Sequence, residues 1–336
     1  MKGKTVLFRC DASREIGLGH IVRCEALASK MSQPNRIVFA TTPDETNKIV
    51  SHHELVLKKE GEEEEKFLER ANSSISPDTI VIDKKYQYSP ESIRKVKGGN
   101  EKTVMLDNIC EGLTQCDEIV FPNAHSVVEG LRSLLPPMKL KSIRTGPEYV
   151  ILRDEVLSAK RVVKRTLSDI PRIVLTTGGS DPEGVLLRLI GWLEDADVHA
   201  HFVAIRGDSF KFKDELVRIE ENLPANLEIR PYSLENVARG EIAISTFGMS
   251  IYEMIYWGIP TICVSHSFEN ASAAKRLASR YKVIDDLGLI SKIRADDLIE
   301  SINKLSDESV YRGYVDRCGN FIDGKGAERI SKLILS

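Results

Sequence analysis

No Cys-x-x-Cys pair and no grouping of Cys with His at zinc-ligand spacing occurs in this 336-residue chain; its six cysteines, at positions 10, 24, 110, 116, 263 and 318, stand apart and read as reduced thiols. Long apolar runs are missing as well. None approaches the ~18 residues of a membrane span, which argues against stable membrane insertion. The opening Met1-Lys2-Gly3-Lys4 leads directly into a strand rather than a signal peptide, so a soluble, cytoplasmic protein is expected. An excess of either charge is also lacking. Lys plus Arg number 47 against 50 Asp plus Glu, a net charge of −3, and the basic residues are dispersed, so nothing calls for a nucleic-acid partner. No Gly-x-x-x-x-Gly-Lys-Ser/Thr occurs, which removes a P-loop nucleotidase, and there is no internal repeat or low-complexity segment.

What is present is alternation. Short apolar runs at 6–8, 37–40, 55–57, 80–82, 104–106 and 119–121 are separated by helix-like stretches such as 62–71 and 89–97, which predicts a parallel, doubly wound sheet. The acidic run 60–65, followed by Phe67, Leu68 and Arg70, is expected to begin a solvated helix. After Pro136-Pro137 the pattern loosens. It restarts with strands near 173–176, 202–205, 227–229, 242–245 and 261–264 and helices near 185–193, 215–222, 249–257 and 271–278, with a closing helix at 327–335. Length and a 42% hydrophobic content suit two domains with real cores. The expected division is 1–150, a hinge over 151–168, and 169–336. Two Rossmann-like domains of this α/β class would bind ligands in a cleft at the carboxyl ends of their strands.

Two places carry chemistry. In the first, Asp11-Ala-Ser-Arg-Glu-Ile-Gly17-Leu-Gly19-His20-Ile-Val-Arg23 takes the chain from the first strand through a glycine turn into a helix whose face is Ile21, Cys24, Leu27 and Ala28. His20 falls in the first helical turn, where the positive dipole end disfavours imidazolium, so a neutral, proton-accepting histidine is expected. Gly17 and Gly19 would let a substrate approach the backbone. A dinucleotide fingerprint fits poorly, because its third glycine is replaced by Arg23 and the second strand ends in Thr41-Thr42 without the ribose-binding acid.

The second place lies in the other half. Thr177-Gly178-Gly179-Ser180-Asp181-Pro182 follows a buried strand and precedes a helix, which suits either an anion site or simple capping by Ser180 or Asp181. Further on, a strand at 242–246 runs into Phe247-Gly248-Met249-Ser250 and one helix ending in Gly258-Ile259-Pro260. A diphosphate would rest on that helix N-terminus, with Glu253 one turn along for a ribose diol.

Five ordered motifs, Gly17-Leu-Gly19-His20 with Arg23-Cys24, Gly146-Pro-Glu-Tyr149 with Leu152-Arg153, Gly178-Gly-Ser-Asp-Pro182, 250–260, and Asp323-Gly-x-Gly326 with Arg329-Ile330, span nearly the whole chain. Together they resemble the UDP-2,4-diacetamido-2,4,6-trideoxy-β-L-altropyranose hydrolases of pseudaminic acid synthesis. The resemblance implies a GT-B fold related to the N-acetylglucosaminyltransferase of lipid II synthesis, with spore-coat polysaccharide proteins among its relatives. It implies His20 as the base, the helix of Glu253 as the uridine diphosphate site, no metal and no cofactor. Substrate-binding roles extend with the family pattern to Arg23, Tyr86, Glu269 and Asn270. Asp11 would orient His20 or hold a sugar hydroxyl. The chain departs from the pattern at Lys84-Lys85, where His-Tyr is usual after Val-Ile-Asp, and at Ala271, where Glu-Asn is usually followed by Gln.

The function this resemblance implies is removal of UDP from a UDP-diacetamido-trideoxyhexose by His20-activated water, with inversion at the anomeric carbon. Two alternatives stand beside it. One is a GT-B glycosyltransferase with a UDP-sugar donor, differing only in the nucleophile; the other is a nucleotide-sugar binding protein without catalysis.

Overall fold

The computed structural model describes residues 3–13, 17–31, 34–99, 101–126, 128–159, 165–179, 181–194 and 196–336, with backbone alone at 45, 46 and 129. The chain divides into two compact units, Met1–Arg153 with Gly324–Ser336, and Asp154–Asp323.

The first unit is built from β1 (Thr5–Cys10), α1 (Gly19–Ala28), β2 (Arg36–Thr41), β3 (Glu54–Leu57), α2 (Glu64–Ile75), β4 (Thr79–Asp83), α3 (Pro90–Lys97), β5 (Lys102–Leu106), β6 (Glu118–Phe121), α4 (Pro137–Ser142) and β7 (Arg144–Thr145). Its seven strands form one parallel sheet in the order β3-β2-β1-β4-β5-β6-β7. A parallel sheet covered on both faces needs strands apolar throughout, and Val6, Leu7 and Phe8 are wholly buried. On one face, Ile21, Cys24, Leu27 and Ala28 of α1 enter the core as their spacing predicts.

The second unit comprises α5 (Asp154–Ser158), β8 (Arg172–Thr176), α6 (Val185–Glu194), β9 (His201–Arg206), α7 (Lys213–Glu220), β10 (Leu227–Pro231), α8 (Leu234–Ala238), β11 (Ile242–Thr246), α9 (Met249–Trp257), β12 (Thr261–Ser265), α10 (Phe268–Tyr281), β13 (Asp285–Leu289), α11 (Ala295–Leu305) and α12 (Glu308–Gly319). Its parallel sheet runs β10-β9-β8-β11-β12-β13. Both halves are thus doubly wound α/β units, as the alternation predicts.

One boundary differs from the sequence reading. The closing helix α13 (Gly326–Leu335) lies in the first unit rather than in a 169–336 domain. Ala327, Ile330 and Ile334 complete the core beneath α1, Ser331 Oγ donates to the Leu27 carbonyl at 2.9 Å, and Thr79 Oγ1 donates to the Ile334 carbonyl at 3.1 Å. Gly326 permits the approach, since a Cβ there would meet the Val150 carbonyl oxygen at 2.1 Å. Of the expected hinge at 151–168, residues 160–164 lie outside the described residues. Ile151 and Leu152 are buried in the first unit, whereas Arg165 in the second donates to the carbonyls of Trp257 at 2.8 Å and Ala238 at 3.0 Å.

In each sheet the winding direction reverses once, between β1 and β4 and between β8 and β11. Crevices at the carboxyl ends of strands flanking such a reversal are where open α/β sheets take ligands.

Candidate functional site

His20 stands at the first of these crevices. Glycine at position 17 supplies a φ of +79°, a left-handed turn that shapes the entry to α1. Parallel pairing of β1 with β4 aligns Cys10 with Asp83, so the carboxylate at the end of β4 meets the histidine that follows β1. His20 Nδ1 lies 2.7 Å from Asp83 Oδ1. The histidine side chain keeps 19% of its surface exposed and Asp83 none, so the ring is open to water on one side and anchored on the other.

Arg23, one turn further along α1, closes a charged cluster. Its guanidinium donates to both Asp83 oxygens, lies 3.2 Å from Asp107 Oδ2 at the end of β5, and sits 3.0 Å from His20 Nδ1. Burial works against an ionised Asp83, and the Arg23 guanidinium together with His20 overcomes it, holding the carboxyl well below its ordinary range. The same balance of burial against Arg23 and Lys85 depresses Asp107. An ionised Asp83 can only accept, so Nδ1 donates to that carboxylate, and Arg23, itself only a donor, serves Asp83 rather than the ring.

Asp11 is engaged elsewhere. Its Oδ2 accepts from Arg9 at 2.7 Å, its Oδ1 accepts from the Thr42 amide at 2.8 Å, and Lys84 donates to Oδ2. The group oriented toward His20 is therefore Asp83, which corrects the orienting role offered for Asp11. Arg9, fully buried, also donates to both oxygens of Glu64 at 2.7 Å, and the Tyr88 hydroxyl donates to Glu64 Oε1 at 2.7 Å. The acidic run thus does not begin a wholly solvated helix: Glu64, the first residue of α2, is turned inward to neutralise a buried arginine.

The departure at Lys84-Lys85 has a local account. Lys84 reaches Asp11 and lies 3.9 Å from Glu64, while Lys85 lies 3.3 Å from Asp107. Tyr86 is partly exposed, its ring edge-on to Tyr88 at 4.7 Å.

In the second unit the glycine turn after β8 resolves in favour of capping. Asp181 accepts from the amides of Val185 at 2.9 Å and Leu186 at 2.8 Å, so a carboxylate already occupies the start of α6. The helix begins at Val185, not at Pro182. Gly178 and Gly179 lie in the turn, their carbonyls over Gly207, and Ser180 lies outside the described residues. That leaves α9. Gly248 is its N-cap and, being glycine, offers no side chain to cap it, so the Met249 and Ser250 end carries the positive end of the helix dipole. Glu253 is half-buried one turn along, with Ile251, Tyr252, Met254 and Ile255 buried around it. Asn270, in the first turn of α10, donates to the Phe247 carbonyl at 3.1 Å, which joins the turns after β11 and β12; Glu269 beside it is exposed. Phe247, Gly248, Met249, Ser250, Glu253 and Asn270 therefore share one end of the sheet.

Asp83, Asp107 and Asn123, whose amide donates to Asp107 Oδ1 at 3.2 Å, are the site residues the sequence reading did not single out. Each follows or ends a buried apolar strand, and a polar residue at the carboxyl end of such a strand is the signal that points to them.

No family model matches the chain. It is 24% identical over 331 residues to the spore coat polysaccharide biosynthesis protein SpsG of Bacillus subtilis, covering 96% of both chains. Among solved structures it superposes on Acinetobacter baumannii MurG with a TM-score of 0.70 at 14% identity, covering 99% of both chains. The calicheamicin glycosyltransferase CalG4 gives 0.68 at 16% identity, covering 100% of this chain and 98% of that one. UDP-GlcNAc 2-epimerase from Neisseria meningitidis, bound to UDP-GlcNAc, gives 0.64 at 12% identity, with 98% and 99% covered. No helix among the described residues is long and apolar enough to cross a membrane. Two Rossmann-like units, each with a parallel sheet and a single reversal of winding, give this chain the fold of the GT-B glycosyltransferases.

Proposed function

We propose that the chain is a nucleotide-sugar enzyme of surface-polysaccharide or nonulosonic acid synthesis that hydrolyses a UDP-diacetamido-trideoxyhexose. The observation that carries the reading is the His20–Asp83 contact at the sheet reversal of the first unit. Asp83 accepts the hydrogen bond from Nδ1–H and fixes the ring, and Nε2 takes a proton from water. The water oxygen bonds to the anomeric carbon on the face opposite the diphosphate. The carbon–oxygen bond to the diphosphate breaks, its electron pair leaves with UDP, and the configuration inverts. In this reading the glycine-started N-terminus of α9 receives the diphosphate and Glu253 the ribose hydroxyls. The likeness to SpsG supports the pathway class, and the epimerase of the same fold is one that holds a UDP-sugar.

The second reading, transfer of the sugar to an acceptor hydroxyl, is favoured by the likeness to CalG4. Incubation with the UDP-diacetamido-trideoxy-altrose nucleotide tests the two together. Acceptor-free UDP release that is lost in His20→Ala supports hydrolysis. Release that appears only on adding an acceptor replaces it with transfer, and UDP binding without turnover under either condition leaves a binding protein.

A further inference from the structure

Away from the His20 crevice, Glu25 on the middle of α1 faces two consecutive histidines in the turn before β3. His52 Nε2 lies 3.2 Å from Glu25 Oε1, and His53 Nε2 lies 2.9 Å from Glu25 Oε2. One donor atom from each of the three side chains falls within 4.8 Å of the others. The two rings are packed against each other, centroids 4.1 Å apart, and His53 is held in turn against the Phe39 ring at 5.1 Å. Exposure is graded across the group: His53 and Glu25 are largely covered and His52 is 60% exposed, so the cluster is fixed on its inner side and open to solvent on its outer side.

Neither the fold nor the proposed reaction accounts for two imidazoles turned onto one carboxylate. From this donor set we infer that Glu25, His52 and His53 form a binding site for one divalent transition-metal ion of the zinc class, with solvent completing the coordination. Two imidazole nitrogens with one carboxylate oxygen suit zinc, cobalt, nickel or copper rather than magnesium or calcium, which take oxygen ligands. Bond lengths of about 2.0–2.1 Å around a tetrahedral ion place its ligand atoms roughly 3.3 Å apart. Each histidine nitrogen already lies near that spacing from one carboxylate oxygen, His52 from Oε1 and His53 from Oε2, and binding would draw both nitrogens toward a shared oxygen. The neighbouring positive charge is neutralised: Arg36 is spent on Glu54, which it meets at 2.7 Å. An ion here clips the helix that carries His20 to the segment between β2 and β3, while using no residue of the His20–Asp83–Arg23 cluster.

The test uses the full chain, free of any histidine tag and dialysed against a chelator. Zinc is titrated in competition with a chromophoric chelator, and cobalt is followed by its visible absorption. Expected are one equivalent per chain, cobalt bands of a low-coordinate site, and a melting temperature raised by zinc. Affinity should fall at least tenfold, on the order expected for disturbing a metal site, in both His52→Ala and Glu25→Gln. His52 is exposed, so its replacement leaves the fold intact, and His125, His199, His201 and His266 remain in the variants as an internal control for adventitious binding. Equal zinc affinity in the wild type and both variants, or no saturable equivalent in the wild type, overturns the assignment. Displacement of zinc by an equal concentration of magnesium also overturns it.

Discussion

Replacing Asp83 with Asn removes the charge that both His20 and Arg23 address while keeping nearly the same shape. Arg23 would then remain buried with Asp107 alone, 3.2 Å away. Breaking a buried pair by deleting one partner costs about 3–5 kcal/mol, and the lower end applies because Asn retains one acceptor. For a unit of this size about 3 kcal/mol lowers the melting temperature by roughly 6–12 °C. Chemistry should suffer separately. Without a carboxylate at Nδ1 the ring is free to turn or to move its proton, and the loss of a positioned base lowers kcat by about 10²–10⁴-fold with KM little changed. The assay is UDP release well below the melting temperature, in wild type, Asp83→Asn, His20→Ala and the double variant. A carboxylate that acts through the histidine has nothing left to position once His20 is gone, so the double variant should be no slower than His20→Ala. An Asp83→Asn effect of full size in the His20→Ala background refutes the argument.

Three further outcomes follow from the packing and the charge clusters. Arg9→Met should destabilise the protein by about 3–5 kcal/mol in urea unfolding, because Glu64 and Asp11 lose their shared buried cation, whereas Arg36→Ala, whose pair with Glu54 is half exposed on both sides, should cost less than about 1 kcal/mol. Equal effects would contradict the burial argument. Asp83, Asp11, Asp107 and Glu64 are all held below the ordinary carboxylate range against the cost of burial, Asp107 by neighbouring cations alone and the other three by cations and hydrogen bonds together. The unfolded chain therefore takes up protons first. The stabilisation is complete above about pH 5 and is lost progressively as pH falls through about 4 and below, so the urea midpoint should drop over that range; a midpoint flat from pH 6 to 3 would contradict it. Gly326→Ala should push α13 off the Val150 carbonyl, and hydrogen exchange should rise in β1, α1 and α13 but not in β8, β11 or β12. A uniform change across both units would sink that expectation.

Most of the strands were legible because a parallel sheet buried on both faces demands uninterrupted apolar runs, and 6–8, 80–82 and 242–245 are such runs. The edge strand β13, Asp285–Leu289, escapes the reading because it is only half-buried, carries two aspartates and a glycine, and pairs on one side only. Helix α11 carries the same kind of signal, with Leu298, Ile302 and Leu305 recurring on one face, and is absent from the expected helices. His20 could be found from its local setting, a glycine turn between strand and helix. Its partner Asp83 is 63 residues away, and only the pairing of β1 with β4 brings the two together. Sequence leaves strand order open, so it left the partner open too. The same holds for Glu64, which reads as one of a run of surface carboxylates until the sheet places Arg9 beneath it.

The return of α13 to the first unit has a consequence for how the protein is made. Because the chain leaves that unit after Arg153 and comes back after Asp323, the segment synthesised first lacks the helix that covers Ile21, Leu27 and Val6 until residues 324–336 have been added. The middle segment suffers no such delay. Folding on the ribosome should therefore run out of sequence order, with Asp154–Asp323 completed first and the unit bearing His20 closed last. Until then its apolar surface stands open to chaperones.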